Sequence, residues 1–254
     1  MSLDLNDLLK EWPHEPGRLS VRKIVGNDGR EKIQLRIDLG LIQMEMDGRP
    51  DGQRPHGQES LFAYHQACAR TRERRGDAYV LSVDDCAELQ QEGIQFYHRY
   101  ISLYQISEFQ AVIRDTQRNL DLLSFVSGHV ENEEMAWPLE QFRPYVTMML
   151  TRARASQALA RRELTAAIRE IEKGRETILA LFKKTDEAED VRSPEIEFLD
   201  EWLAEIRKKK PMTKLEKLQR EMEQAIAVEA YERAAELRDA IQAQGRKRRR
   251  TKQA

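Results

Sequence analysis

Residues 214–242 read KLEKLQREMEQAIAVEAYERAAELRDAIQ, and apolar side chains recur through this stretch at the spacing of two amphipathic helices. The first series recurs every three or four residues; its members are Leu215, Leu218, Met222 and Ala225. A short break at 228–230 separates it from a second series, whose members are Tyr231, Ala234, Leu237 and Ile241. The pattern predicts two short helices joined by a tight turn, which is an antiparallel helical hairpin.

The sequence also predicts where the hairpin begins and which residues form its seam, the apolar line along which the two helices meet. Thr213 with Glu216 matches a capping box, which predicts that the first helix begins there. The small residues Ala225, Ala234 and Ala235 allow the two helices to approach closely. A hairpin of this length cannot bury a sufficient core by itself. Its apolar seam is therefore expected to meet another protein, a second copy or another part of the chain.

The stretch resembles the UVR motif, a helical hairpin of the UvrB/UvrC type. That pattern places a leucine before a first helix rich in methionine and alanine. It continues with glutamate, an aromatic–glutamate pair, two alanines, Leu-Arg-Asp and isoleucine. The matching positions are Leu218, Met222, Ala225, Glu229, Tyr231, Glu232, Ala234, Ala235, Leu237, Arg238, Asp239 and Ile241.

The resemblance implies that the hairpin binds a protein, as it does in the UvrB–UvrC excision-repair contact, in the Clp ATPase ClpC and in the kinase activator McsA. The sequence lacks a GxxxxGK[ST] phosphate loop, a GIY-YIG nuclease sequence and the CxxC pairs of a zinc site. Only the binding role of the hairpin therefore carries over. The implied partner-binding residues are Leu215, Leu218, Met222, Ala225, Tyr231, Ala234, Ala235, Leu237, Arg238 and Ile241.

Charge is unevenly distributed along the chain. The net charge is −2, yet the last ten residues contain six basic side chains and no acid. An acidic body argues against broad nucleic-acid binding by the whole chain, whereas the tail could contact phosphates. The candidate nucleic-acid-binding residues are Arg246, Lys247, Arg248, Arg249, Arg250 and Lys252. A disordered, solubilising tail is the alternative.

Other features favour a cytoplasmic protein. Two cysteines, Cys68 and Cys86, fit neither a zinc knuckle nor a redox CxxC pair. The acidic N-terminus does not resemble a secretion signal, and no apolar run is long enough to span a bilayer. We predict no catalytic residue, no metal and no cofactor. An enzyme would have to use the Gly/Pro-rich loop at 47–58, where Arg49, Asp51, Arg54 and His56 cluster in the sequence.

The N-terminal part changes period from helix to strand. A short helix around Leu5–Trp12 ends at two prolines, and alternating apolar residues then flank Asn27-Asp28-Gly29, a hairpin turn signal. A change of phase at Gly40 suggests a bulge, with one more strand possible. A helix is expected from Glu59 to about Arg75.

The middle of the chain is predicted to be helical. Ser82 with Asp85, and Ser107 with Gln110, match capping boxes. Residues 127–138 are expected to be a connector, followed by helices at about 139–160 and 163–183. Part of this region loosely resembles a tetratricopeptide repeat, at Leu164, Ala167, Ile168, Ile171 and Gly174. An ordinary pair of helical hairpins fits equally well.

These patterns predict an α+β fold that is mainly α. The expected segments are 1–80 with the β-hairpin, 81–183 as the helical body, 193–210 as a connecting helix, 211–244 as the UVR-like hairpin and 245–254 as a disordered basic tail. The expected function is a non-enzymatic adaptor, linked by resemblance to DNA repair or protein quality control. Its expected partner is another protein or a second copy. A nucleic-acid-binding protein acting through the tail is the alternative, and no membrane contact is expected.

Overall fold

The structure, a computed structural model, describes residues 4–183, 193–209, 214–227 and 230–251, with the side chains of 214–216, 219, 220 and 242–251 excluded. Contacts divide the chain into two compact units, Met1–Ala204 and Glu205–Ala254, and each is described by itself. The fold is α+β and mainly α, as predicted.

Unit 1 begins with a short helix and a three-stranded antiparallel sheet. Helix α1 spans Asn6–Lys10, and strands β1, β2 and β3 span Ser20–Val25, Glu31–Ile37 and Gly40–Glu45. The strands follow one another in the order β1-β2-β3. The predicted hairpin turn is present, since Gly29 adopts a φ of 76° between β1 and β2. That left-handed conformation is the one that glycine adopts without a steric cost.

The region around Gly40 differs from the prediction. Ile37 pairs directly with Gly40 across β2 and β3, so a two-residue turn at 38–39 joins the strands. The expected bulge at Gly40 is therefore wrong, and the change of phase marks a second hairpin. A third strand gives the sheet more buried surface than a lone hairpin has, and two strands alone are marginal in water.

Helix α3 packs against the sheet, and α2 packs against α3. Helix α2 spans Leu61–Glu73 and begins at Ser60, whose side chain accepts the N–H of Ala63 at 3.1 Å. Helix α3 spans Val83–Gln105, and the predicted capping box of Ser82 and Asp85 is confirmed. Both halves of that box are formed, so two otherwise unpaired N–H groups are satisfied.

A buried arginine connects the sheet to the helical body. Arg99 of α3 donates two hydrogen bonds to the Asp115 carboxylate of α4, at 2.7 and 2.8 Å. The same guanidinium donates to the carbonyl oxygens of Glu45, the last residue of β3, and of Gly48 in the loop that follows. Arg99 and Asp115 are almost completely buried, so each charge depends on the other for its stability.

The remaining helices of unit 1 are α4 (Phe109–Gly128), α5 (Glu133–Glu140), α6 (Arg143–Ala160), α7 (Leu164–Phe182) and most of α8 (Pro194–Lys209). The core joins α2 to α5; its fully buried members include Leu81, Leu89, Leu122 and Val126. Helix α5 lies in the region predicted to be a connector. Asn132 explains it, because its side chain caps the N–H of Met135 at 3.1 Å.

The turns α3–α4 and α6–α7 have the same geometry. Ser107 and Arg162 each adopt a left-handed conformation, with φ values of 62° and 63°. In both turns the next residue donates its N–H five residues back, Glu108 to Leu103 and Glu163 to Ala158, both at 2.9 Å. These bonds define Schellman endings. The predicted capping box at Ser107 is therefore wrong, because Ser107 ends α3 and Glu108 begins α4.

Helices α6 and α7 approach each other very closely. A Cβ atom added to Gly174 would lie 2.0 Å from the Oγ1 atom of Thr151. Only a residue without a side chain fits at that distance. The glycine that suggested a tetratricopeptide pattern is thus explained by this one contact, and the repeat resemblance itself stays a prediction.

Unit 2 contains the C-terminal hairpin, with α9 at Lys214–Ala227 and α10 at Tyr231–Thr251. Helix α10 continues through the basic run, so residues 246–250 are helical, contrary to the disordered tail expected from the sequence. Arginine and lysine are good helix formers, and cations are favourable at a helix C-terminus. Lys252 and the predicted cap at Thr213 lie outside the described residues. No described helix is long and apolar enough to cross a membrane.

Candidate protein-binding hairpin

The two helices of unit 2 meet along a short apolar seam. Ala225 of α9 packs with Ala234 and Leu237 of α10, and these three residues are buried. Leu218 and Met222 pack against them and are half-buried. The seam forms because these positions repeat every three or four residues and so fall on one face of each helix. Small alanine side chains on both sides let the helix axes come close.

The turn between the helices is held by backbone hydrogen bonds. The N–H of Ala230 donates to the carbonyl oxygen of Ala225 at 2.8 Å, five residues back. The N–H of Ala234 then donates to Ala230 at 3.1 Å, which begins the α10 ladder. Val228 and Glu229, where the sequence predicted the break, lie outside the described residues.

The predicted binding residues occupy three different environments. Ala225, Ala234 and Leu237 are buried in the seam, and Leu218, Met222, Ala235 and Ile241 are half-buried. Tyr231 and Arg238 are exposed. The side chain of Leu215 lies outside the description. The seam residues therefore hold the hairpin together, and a partner can reach chiefly the half-buried and exposed ones.

Two exposed apolar side chains lie near the turn. Tyr231 at the start of α10 is 66% exposed, and Ile226 near the end of α9 is 50% exposed. Ile226 was not among the predicted binding residues, because the helical series was followed through its neighbour Ala225. The sequence signal that could have identified Ile226 is an isoleucine directly after a seam position.

The charged side chains that the structure describes in the hairpin are solvent-exposed. Arg233 donates to Glu236 at 2.7 Å, one turn apart on α10, and Arg238 lies 3.3 Å from Asp239. Exposed pairs of this kind contribute little to stability. They surround the apolar positions with polar groups, which is the usual arrangement at the rim of a protein interface.

The loop at 47–58 does not bring its four candidate residues together. The Nε atom of Arg49 lies 3.4 Å from a Glu92 carboxylate oxygen and 3.4 Å from one of Asp51. His56 instead stacks on the ring of Tyr64, with centroids 4.0 Å apart. Arg54 is exposed. Arg49 thus contacts α3 and His56 contacts α2, so the two side chains do not line one ligand site.

Asp85 and Cys86, a carboxyl group and a thiol at the start of α3, have structural roles. Burial disfavours the ionised form of Asp85, yet hydrogen bonds from the Ser82 hydroxyl and N–H outweigh it and lower its pKa. Burial raises the pKa of the neighbouring Cys86 thiol. In the part of the chain that the structure describes, no group of three or more His, Cys, Asp or Glu side chains could hold a metal ion.

Comparison with known proteins assigns this hairpin to a motif class. Residues 213–243 match the family model described as the UvrB/uvrC motif. The predicted resemblance is confirmed, and the chain carries a UVR motif at its C-terminus. The motif occurs in proteins related to DNA repair and mediates protein interactions. No curated protein and no solved structure significantly matches the chain.

Proposed function

We propose that this protein is a non-enzymatic adaptor that binds another protein through its C-terminal UVR hairpin. The observation that carries the proposal is that the seam buries few of the apolar side chains of the hairpin and leaves others accessible. Among the described side chains of the hairpin, Ala225, Ala234 and Leu237 are the buried ones, and two of the three are alanines. Apolar side chains beyond this seam remain accessible to a partner.

The accessible residues are of the type that binds proteins. Tyr231 offers a large aromatic ring with a polar end, and tyrosine is enriched among the residues that dominate binding energy. Ile226 adds an exposed aliphatic side chain, with Leu218 and Met222 half-buried beside the seam. Covering such side chains contributes roughly 25 cal/mol per Å² of apolar area removed from water.

The partner can be another protein or a second copy of this chain. Because the UVR motif occurs in proteins related to DNA repair, we favour a role in that process. The resemblance to the hairpins of ClpC and McsA keeps protein quality control as the other candidate process. The matched residues, 213–243, lie in the hairpin, so the hairpin alone supports this choice.

The proposal is tested by affinity capture from native lysate with quantitative mass spectrometry. The full chain is compared with the double variant Tyr231→Ser and Ile226→Ser, which leaves the buried seam intact. Leu39→Ser is the matched control, since Leu39 is 91% exposed in the sheet turn of unit 1. We expect the double variant to lose a partner that the control retains.

Equal capture by all three proteins would contradict the proposal. Sedimentation of the purified chain separates the two kinds of partner. A dimer that dissociates in the double variant identifies self-association, whereas a monomer that captures a second protein identifies a heterologous partner.

The second candidate is nucleic-acid binding through the end of α10. The supporting observation is that the helix continues through Thr251, so the basic run 246–250 extends from the hairpin as a helix. Duplex DNA binding should then weaken steeply with salt, because phosphate contacts release counterions. Substituting glutamine at the six basic positions should abolish it. Binding that is absent, or that is insensitive to salt, contradicts this candidate.

A further inference from the structure

A groove of about 570 Å³ opens on the helical body of unit 1, far along the sequence from the hairpin. Its walls come from α3, α4, α5, α6 and the first turn of α8. They are mainly apolar and include Ile94, Leu122, Leu139 and Val146. The volume falls within the range of sites that hold small molecules, which are also mostly apolar with a few polar groups.

One side of the groove is formed by tyrosine rings. The Tyr97 and Tyr100 rings are nearly perpendicular, with centroids 5.6 Å apart, and the Tyr145 ring lies 6.1 Å from Tyr97. Tyr97 is 36% exposed, and Phe142, at the rim, is 49% exposed. Aromatic faces set at steep angles to one another form the kind of corner that attracts a cation.

Several other rings of this protein already have an arginine over their faces. The guanidinium of Arg152 lies 4.5 Å from the centre of the Tyr104 ring and 4.6 Å from that of Phe198. Arg118 lies 4.0 Å from the centre of the Phe96 ring. The groove differs from these places, because no lysine or arginine among the described residues lines it.

The groove carries one negative charge near its tyrosines. Glu195, in the first turn of α8, is the acidic residue among the described lining residues, and its carboxylate accepts a hydrogen bond from the Ser193 hydroxyl. Burial lowers the pKa of His98, which also lines the groove, so its imidazole is neutral at neutral pH. Burial chiefly, and then the neighbouring Tyr97, raises the pKa of Tyr145 to about 12 and keeps that phenol neutral; the charge of Arg152 opposes this shift, and the charge of Glu195 adds a smaller contribution to it.

We propose that this groove is a second binding site, which takes a small organic cation with an apolar body. The ammonium or guanidinium group would lie between Glu195 and the accessible rings of Tyr97 and Tyr145, since Tyr100 is 1% exposed, and the body would cover the aliphatic walls. Glu195 is the charged side chain among the described lining residues, and Arg152, whose charge acts on Tyr145, does not line the groove; a lining carboxylate favours a cation and disfavours an anion. The proposal does not depend on the function of the hairpin, because every residue in it belongs to unit 1.

The test uses three probes with the same phenethyl skeleton and different charge. Phenethylamine is cationic, phenethyl alcohol is neutral and hydrocinnamate is anionic at neutral pH. Dissociation constants are measured by NMR titration of the full chain with labelled tyrosine rings, at low ionic strength to limit screening. We expect phenethylamine to bind about tenfold more tightly than the alcohol, with hydrocinnamate the weakest.

Matched variants assign the preference to particular side chains. Glu195→Gln should reduce the amine-to-alcohol ratio to near one, because it removes the charge and keeps the shape. Glu197→Gln is the control, since Glu197 is an exposed acid in the same helical turn that does not line the groove. Tyr97→Leu should also weaken amine binding while alcohol binding changes less, because the apolar bulk remains.

A capped dipeptide amide of phenylalanine and lysine distinguishes the source of the cation. Tighter binding of the dipeptide than of phenethylamine would identify a lysine side chain of a polypeptide, and the reverse would identify a free amine. The proposal is overturned if the three probes bind equally, if Glu195→Gln leaves the ratio unchanged, or if no probe binds up to its solubility limit.

Discussion

The carboxylate of Glu92 accepts the backbone N–H of Leu61 at 2.7 Å, so a side chain of α3 completes the cap of α2. The other carboxylate oxygen accepts the N–H of Phe62 at 3.1 Å and a hydrogen bond from Arg118. Glu92 is fully buried. Because helix N-termini leave their first N–H groups unpaired, this carboxylate stabilises the start of α2 directly.

We predict that Glu92→Gln destabilises the body by about 3–5 kcal/mol, the usual cost of breaking a buried ion pair. The substitution removes the negative charge that faces Arg118 and Arg49 and one of the two acceptors of the cap. The free energy of unfolding is measured by urea denaturation. Glu88→Gln, an exposed acid one turn earlier on α3, should change it by less than about 0.5 kcal/mol. Equal effects of the two substitutions would show that the buried carboxylate is dispensable.

We predict that Gly174→Ala costs about 1–3 kcal/mol, because its methyl group would overlap Thr151 and force α6 and α7 apart. Thr151→Ala removes the two nearest atoms, so the double variant should recover part of the loss. Gly128→Ala is the control, since nothing lies within 4 Å of the added atom and alanine favours a helix. A Gly174→Ala protein as stable as the control would contradict the close approach of these helices.

The stability of the body should decrease as pH falls below about 6.5. Burial lowers the pKa of His65 and of His98 below the usual 6.5, so the folded state binds fewer protons than the unfolded chain at mildly acidic pH. Their contribution is complete above pH 6.5 and is lost as pH falls towards the lowered values. The slope is at most about 1.4 kcal/mol per pH unit for each proton.

Urea denaturation across this pH range checks the prediction. A double variant, His65→Gln and His98→Gln, should have a flatter dependence than the parent, whereas His14→Gln in the N-terminal segment should keep it. The lowered pKa values of Asp28 and Asp85 act at more acidic pH and do not interfere. An unchanged slope in the double variant would assign the pH dependence to other groups.

The two cysteines should react at very different rates. Cys68 is half-buried, whereas Cys86 is 5% exposed and burial raises its pKa. Alkylation requires an accessible thiolate, so iodoacetamide at mildly alkaline pH should label Cys68 in the native protein and Cys86 only after unfolding. Peptide mass spectrometry measures the labelling at each site. Native labelling of Cys86 as fast as that of Cys68 would contradict its burial.

The sequence predicted those features that depend on neighbours in the chain. The Ser82–Asp85 box and the apolar series of the C-terminal hairpin are local patterns, and both are confirmed. Ser107 misled because a serine three residues before a glutamine matches a box, while the backbone there takes the left-handed conformation that ends a helix. Local chemistry cannot distinguish these two uses of a serine.

Features that join distant segments were not predictable in this way. Charged residues are normally expected at the surface, yet Glu92, Arg99 and Asp115 are buried. Arg99 pairs with Asp115 of the next helix, and Glu92 accepts a backbone N–H of α2. The tyrosine groove combines residues of α3 and α6 with Glu195, which no spacing rule places together. That these residues lie close together is visible only in the three-dimensional structure.

The four-way contact of Arg99 has a consequence for how this chain could be recombined. A crossover between residues 80 and 81 would separate the carbonyl groups of Glu45 and Gly48 from the guanidinium that they accept hydrogen bonds from. A chimaera joined at that point would take the arginine from one parent sequence and the 45–48 loop from the other, and these two parts did not evolve together. A crossover after Ala204 leaves the whole set in one parental block, so shuffled chimaeras should survive there and fail at residue 80.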